Sequence, residues 1–237
     1  MAWYAAPLAR AGQPGDSARV LDALAHQLAG RFLAFDGPDG CGKSTQIAKF
    51  VDWCQGKGLA VQCVREPGGT PVGEEIRTIL LDPAHADMDV VCEMLLYMAS
   101  RAQLVAQVVR PARERGDLVV ADRFVSATLA YQGTAGGLSM ECIQAVAEVA
   151  VGDCWPDLTL ILDVDDDIAA GRVGTDPDRM EQKGSEFQRR VRAGFLEQAT
   201  RWPQRYRVVD ASGAAETVFE RVLEAVSDFV QGLPLAR

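Results

Sequence analysis

The stretch from Phe35 to Thr45, FDGPDGCGKST, holds the densest chemistry in the chain: Gly37, four residues, then Gly42-Lys43-Ser44. This is the spacing of a phosphate-binding loop, with an apolar run before it and a helix-like pattern after it. The glycines let the backbone curl so that successive N–H groups face one anion, a path that needs the positive φ glycine tolerates. The next helix presents its N-terminal N–H groups and positive dipole end to the same anion. Lys43 is placed to reach the outer phosphates, and the Ser44 hydroxyl to hold Mg²⁺. Gly-rich turns before helices are common, but the whole pattern is far more specific than a lone G-x-G-x-x-G. Gly37, Gly40, Cys41, Gly42, Lys43, Ser44 and Thr45 are therefore read as an ATP-phosphate site, with Cys41 contributing its backbone N–H.

Further residues suit the same chemistry. Asp122 ends a run of four apolar residues and precedes Arg123. A carboxylate there suits the second anchor of a P-loop Mg²⁺ site, and a guanidinium beside it can fork onto a phosphate. An ordinary Asp–Arg surface pair is the plain alternative. Arg65-Glu66-Pro67-Gly68-Gly69 sets a charge pair and a rigid turn at another strand end, or is simply a loop. Tyr97 and Arg101, four residues apart, share a helix face and suit a stacked nucleobase, or form a half-buried tyrosine covered by arginine. Thr128, Tyr131 and Gln132 offer hydroxyls and an amide for sugar and base, or are polar residues at a helix end.

The elements that must position these groups are set by hydrophobic patterning. Apolar runs at 31–36, 59–65, 118–121, 158–162 and 207–209 predict strands, the last three ending at Asp122, Asp163 and Asp210. Helices are predicted for the residues after the loop to 56, and for 74–81, 92–113, 139–151 and 218–230. Alternating strands and helices imply one α/β domain, a parallel sheet with helices on both faces. Loops beginning at Gly37, Glu66 and Asp122 leave the carboxyl ends of strands, where ligands of such sheets sit. Residues 1–30 precede the first strand. Val20, Leu21, Leu24 and Leu28 fall on one helical face there, which predicts a docked extra helix without chemistry of its own.

The chain has 237 residues, 48% of them hydrophobic, enough for a full core, and a net charge of −9. That charge argues against a general nucleic-acid or anionic-membrane surface while leaving room for a local basic pocket. Six scattered cysteines without a C-x-x-C pair, and two histidines, make zinc and c-type haem unexpected. No apolar run approaches the roughly 20 residues of a membrane span, and Arg10, Asp16 and Arg19 interrupt any signal-peptide core. A soluble cytoplasmic protein is expected.

Six motifs carry a resemblance: FDGPDGCGKST, REPGGTPVGEEIRTILLD, YMASRAQLV, DRFVSATLAYQG, PDLTLILDV and DRMEQKG. From about Arg31 onward the chain resembles the bacterial-type thymidylate (dTMP) kinases. The resemblance implies the P-loop NTPase fold with a five-stranded parallel sheet, a short lid at about 170–188, and a homodimer. It implies ATP-dependent phosphorylation of dTMP to dTDP with Mg²⁺. Asp39 matches an acidic residue near the substrate sugar and phosphate, Glu66 and Pro67 the loop bordering the thymidylate site, and Arg77 a basic residue near the acceptor phosphate. Tyr97 matches the base-stacking aromatic, more often Phe, and Arg101 the base-reading arginine. Arg123 matches the arginine that grips the dTMP phosphate. Thr128 and Gln132 match polar residues near thymine, and Tyr131 the ring that crowds the 2′ position.

Phosphoryl transfer between phosphates needs alignment and charge cancellation, not a general base. In the resembled family a transition-state arginine comes from the P-loop or from the lid. Gly40 occupies the relevant loop position, so the lid must supply it, and Arg172 and Arg179 are the candidates, with Lys183 behind them. This lid is poorer in arginine than is common there. Two other readings accompany the dTMP kinase: a kinase for a different deoxynucleoside monophosphate, and a nucleotide-binding homologue with weak catalysis.

Overall fold

Every residue of the first strand is buried, and its apolar side chains enter two different cores in alternation. In β1 (Phe32–Asp36), Leu33 and Phe35 belong to one hydrophobic cluster, Phe32 and Ala34 to another. A strand covered on both faces requires this. The computed structural model describes residues 25–172 and 178–233. Beside β1 lie β2 (Val61–Arg65), β3 (Leu118–Asp122), β4 (Leu158–Asp163) and β5 (Tyr206–Asp210), in the order β2-β3-β1-β4-β5. Every pairing is parallel, with Phe35 and Arg65 both opposite Asp122, and Asp163 opposite Asp210.

On one face, α1 (Lys43–Gly56) packs through Phe50 and Cys54 against Phe35 and Val120. The opposite face receives α3 (Val90–Leu104) through Met94, Met98 and Leu104, and α2 (Pro71–Leu81) packs against α3. Thr70 caps α2, its hydroxyl accepting from Gly73 N, and Pro71 sits where its missing N–H costs nothing. The expected single helix over 92–113 is interrupted. After α3 the chain opens into a π-helical turn, Val105–Val109, and then resumes as α4 (Arg110–Glu114). Pro111 cannot donate, and its ring needs the space of a carbonyl one turn back, so a wider turn before it accommodates the ring.

After β3 come α5 (Val125–Thr128) and a second π-helical turn, Leu129–Thr134, and then α6 (Met140–Val151), capped by Ser139. The lid side holds α7 (Asp166–Ala170) and α8 (Ser185–Arg201), and α9 (Ala215–Gln231) comes after β5. Gly194 of α8 lets the second π turn approach, since a Cβ there would lie 2.8 Å from the Thr134 hydroxyl.

Residues 1–24 lie outside the described residues, and with them most of the predicted N-terminal helix. Leu28, the described member of its apolar face, is fully buried in the α1-side core. Residues 173–177 of the expected lid also lie outside. No helix among the described residues is long and apolar enough to cross a membrane.

Candidate active site

The phosphate-binding loop is built where β1 ends and α1 begins. Gly37, Gly40 and Gly42 have φ of 144°, 80° and 90°, a region side chains rarely adopt. Space closes the loop as well, because a Cβ at Gly40 would run into the Ala169 carbonyl of α7. An arginine therefore cannot occupy Gly40 in this arrangement. The N-terminus of α1 begins at Gly42 with no side-chain cap, which leaves its N–H groups for an anion. Cys41 is buried, and burial raises its thiol pKa against the pull of Lys43 and Arg123. Lys43 Nζ stands 4.0 Å from Asp122 Oδ1 at the end of β3.

A cavity of about 330 Å³ opens beside this loop and receives Lys43, Ser44, Asp39, Asp122 and Arg123 on one side. Glu66, Pro67, Arg77, Tyr97, Thr128, Tyr131 and Gln132 line the rest. Three loops from three strand ends thus meet in one space.

Arg123 is the described non-glycine residue with positive φ, 69°. Its Nη1 donates to Asp36 Oδ1 at 3.2 Å and to the Gly37 carbonyl at 3.1 Å, while Nη2 pairs with Asp39. Tyr131 donates from its hydroxyl to Asp39 Oδ2 at 2.8 Å, and Arg123 lies over its ring. Burial opposes ionisation of Asp39, but Arg123 and Lys43, with the Tyr131 and Arg123 hydrogen bonds, hold its carboxyl below the usual range. Asp36 is fully buried, and there burial prevails, raising its carboxyl despite Arg123, Ser126, Lys43 and the Phe124 N–H.

The opposite wall hangs on a buried ion pair. Arg101 is 1% exposed and gives Nε to Glu66 Oε2 at 2.7 Å, with Nη1 and Nη2 both 3.2 Å from Thr128 Oγ1 and Nη2 3.1 Å from the Phe124 carbonyl. It stands behind Glu66 and Thr128, which line the cavity, and is not itself in the lining. Burial lifts Glu66 to about 7 against the attraction of Arg101. The Glu66–Pro67 peptide is cis, and Gly68 N donates to Ser100 Oγ at 3.1 Å, tying this loop to α3. Arg77 Nη1 donates to the Pro67 carbonyl at 3.0 Å.

The two arginines of the expected lid lie in different surroundings. Arg172 is exposed and lines a second cavity of about 260 Å³ beside the loop, with Gly42, Thr45, Gln46, Gly213 and Ala215. Arg179 is 4% exposed, its Nε donating to the Leu80 carbonyl at 2.7 Å and its Nη1 2.5 Å from Glu93 Oε2. Lys183 also reaches Glu93, at 3.0 Å.

Sequence reasoning did not single out Asp36, Glu93, Asp178 or Met180, nor Gln46, Gly213 and Ala215 in the second cavity. Asp36 had a signal, since it ends an apolar strand as Asp122 does. Glu93 is four residues before Tyr97 and eight before Arg101, on the same helical face.

A thymidylate kinase family model matches residues 35–222. The chain belongs to the thymidylate kinase family. It is 45% identical over 202 residues to a thymidylate kinase of Pelotomaculum thermopropionicum, covering 84% of this chain and 94% of that protein. To one of Deinococcus radiodurans it is 43% identical over 201 residues, covering 84% and 97%. Among solved structures, the thymidylate kinase from Ehrlichia chaffeensis superposes with a TM-score of 0.67 at 30% identity, covering 83% of this chain and 97% of that one. The parallel sheet with its glycine loop at the end of β1 is the P-loop NTPase fold of this thymidylate kinase family member.

Proposed function

We propose that this protein transfers the γ-phosphoryl group of ATP to dTMP, giving dTDP for dTTP synthesis. The observation that carries the reading is one cavity shared by the P-loop lysine, the Arg123 guanidinium and the Tyr97–Thr128–Gln132 wall. The loop residues Gly37, Gly40, Cys41, Gly42, Lys43, Ser44 and Thr45 hold the ATP phosphates, and the second cavity beside Arg172 takes the rest of the donor nucleotide. Arg123 and Arg77 receive the acceptor phosphate, with Asp39 and Tyr131 at the sugar. Tyr97 stacks on the base between Pro67, Thr128 and Gln132, and Arg101 acts from behind through Glu66 and Thr128.

The chemistry is alignment and charge cancellation in a space shielded from water. Lys43 steadies the outer phosphates, and Arg172, exposed beside the loop, is the lid arginine free to meet the transferred group. Arg179 serves to pin residues 178–188 to the acceptor wall. Mg²⁺ fits this donor set: Ser44 and Asp122 offer hard oxygens on the cavity, and Mg²⁺ is ordinarily held by one or two protein oxygens plus phosphates and water. Bound there, it neutralises phosphate charge. The kinase domain spans 31–237 with its lid at 170–188. Exposed Val72 and Ile79 on α2, with Val91 and Leu95 on the adjacent α3, suit a homodimer interface. Six unpaired cysteines suit the reducing cytoplasm.

A coupled assay for ADP tests the proposal with dTMP, dUMP, dCMP and dGMP as acceptors. Brisk turnover with dTMP is expected. No turnover with dTMP alongside brisk turnover with another monophosphate would sink it.

A further inference from the structure

Glu93 is a carboxylate with 1% exposure that stands behind the cavity wall, against the lining residue Gln132. Its Oε1 accepts from Gln132 Nε2 at 2.7 Å and from Lys183 Nζ at 3.1 Å. Its Oε2 stands 2.5 Å from Arg179 Nη1 and 3.0 Å from Lys183 Nζ. Both oxygens are thus occupied, and two cations fix the carboxylate in place. An ionised carboxylate only accepts hydrogen bonds, whereas an amide has a donating and an accepting end. Gln132 must therefore turn its NH₂ toward Glu93. The reversed amide would set two acceptor oxygens 2.7 Å apart.

This fixes where the accepting end of Gln132 lies. Gln132 lines the cavity, and its Oε1 receives no hydrogen bond from a described residue. We propose that Glu93 is a positioning residue that determines base specificity. By orienting Gln132, it presents an acceptor to the base and selects pyrimidine nucleotides whose ring carries an N–H at position 3. Thymine and uracil, the 2,4-dione bases, satisfy that acceptor. Cytosine offers a lone pair at the same position and leaves two acceptors facing each other. A buried group left unpaired in this way weakens binding about tenfold to a hundredfold. The inference rests on the acceptor reading of this cavity under the proposed kinase function. It adds that specificity is set one residue behind the base, by a carboxylate that never touches it.

Calorimetric binding of dTMP and dCMP, with kcat and KM for each, tests the proposal. The unaltered protein should favour dTMP over dCMP by tenfold or more, and equal binding of the two overturns the inference without any variant. Glu93→Gln keeps the shape and lets the Gln132 amide take either sense. Its dTMP/dCMP preference should fall about tenfold, through KM rather than kcat. A merely structural Glu93 would weaken both substrates alike, and an unchanged preference in folded Glu93→Gln overturns the proposal. If that variant does not fold, Glu93→Asp keeps the charge for Arg179 and Lys183 but retracts it from Gln132. A smaller fall in preference then supports the inference, and none overturns it. A protein that prefers dTMP in binding, loses that preference in Glu93→Gln and yet transfers no phosphoryl group overturns the kinase reading and supports the role of Glu93.

Discussion

Arg123 reaches back across the sheet to Asp36, with Nη1 3.2 Å from Oδ1, from a backbone φ of 69°. Asp36 ends β1 and Arg123 comes directly after β3, and the Arg123 N–H donates to the Phe35 carbonyl at 3.0 Å. The strand that carries the glycine loop thereby also holds the arginine proposed to receive the acceptor phosphate. A left-handed conformation costs a residue with a side chain about 1–2 kcal/mol, and the hydrogen bonds to Asp36 and the Gly37 carbonyl hold Arg123 in it. Asp36→Asn keeps the shape and removes the charge. We expect kcat/KM for dTMP to fall at least tenfold while KM for ATP changes less than twofold. Equal losses for both substrates in steady-state kinetics would place Asp36 with the donor loop instead.

Lys43→Ala tests the donor half. Removing one fixed charge from a phosphoryl-transfer site costs about 3–4 kcal/mol of transition-state stabilisation. Turnover should fall by a factor on the order of 10²–10³ or more, with dTMP affinity measured by calorimetry nearly unchanged. Near-normal activity would refute the loop assignment.

The two lid arginines should separate cleanly. Arg172→Ala should lower kcat more than it raises either KM, with little effect on melting temperature, because Arg172 is exposed. Arg179→Met should instead lower stability, on the order of 3 kcal/mol, because it removes a partner of buried Glu93. Thermal melts and kinetics of the pair decide the matter, and an unchanged kcat in Arg172→Ala clears that residue of the transition-state role.

Glu66 gives a pH signature. Its carboxyl is raised from 4.5 to about 7 by burial, against the pull of Arg101. A carboxyl raised on folding takes up a proton between those values. Its unfavourable contribution is therefore full above about pH 7 and is relieved as pH falls toward 4.5. Relative to Glu66→Gln, which does not titrate, the wild-type protein should gain melting temperature from about pH 8 to about pH 5. A flat difference over that interval would show that Arg101 keeps Glu66 ionised throughout.

The middle of the sheet was legible because β1, β3 and β4 are apolar runs buried on both faces, whereas the partly buried edge strands β2 and β5 were marked by their place between helices. The glycine loop was legible because its spacing answers to one kind of ligand. Asp36 and Glu93 escaped notice for the opposite reason. Each is a single acidic residue beside apolar ones, and its meaning lies in partners distant in sequence, Arg123 for one and Arg179 for the other. The same distance hid the contrast between Arg172 and Arg179, which look alike along the chain and differ in what they face. The π-helical turns were invisible because hydrophobic periodicity presumes 3.6 residues per turn. Pro111 alone hinted at one of them.

The second of those turns, Leu129–Thr134, carries Tyr131 and Gln132 into the cavity. A π turn accommodates a residue more than an α turn, so the wall here depends on a count as well as on identities. Deleting Ala130 would let the segment tighten to an α-helix and re-aim the residues inside the turn. Tyr131 would leave Asp39 and Gln132 would leave Glu93, with both side chains still in the protein. Substitution can drift along this stretch, but its length cannot. The base recognition proposed for this wall is thus guarded by arithmetic.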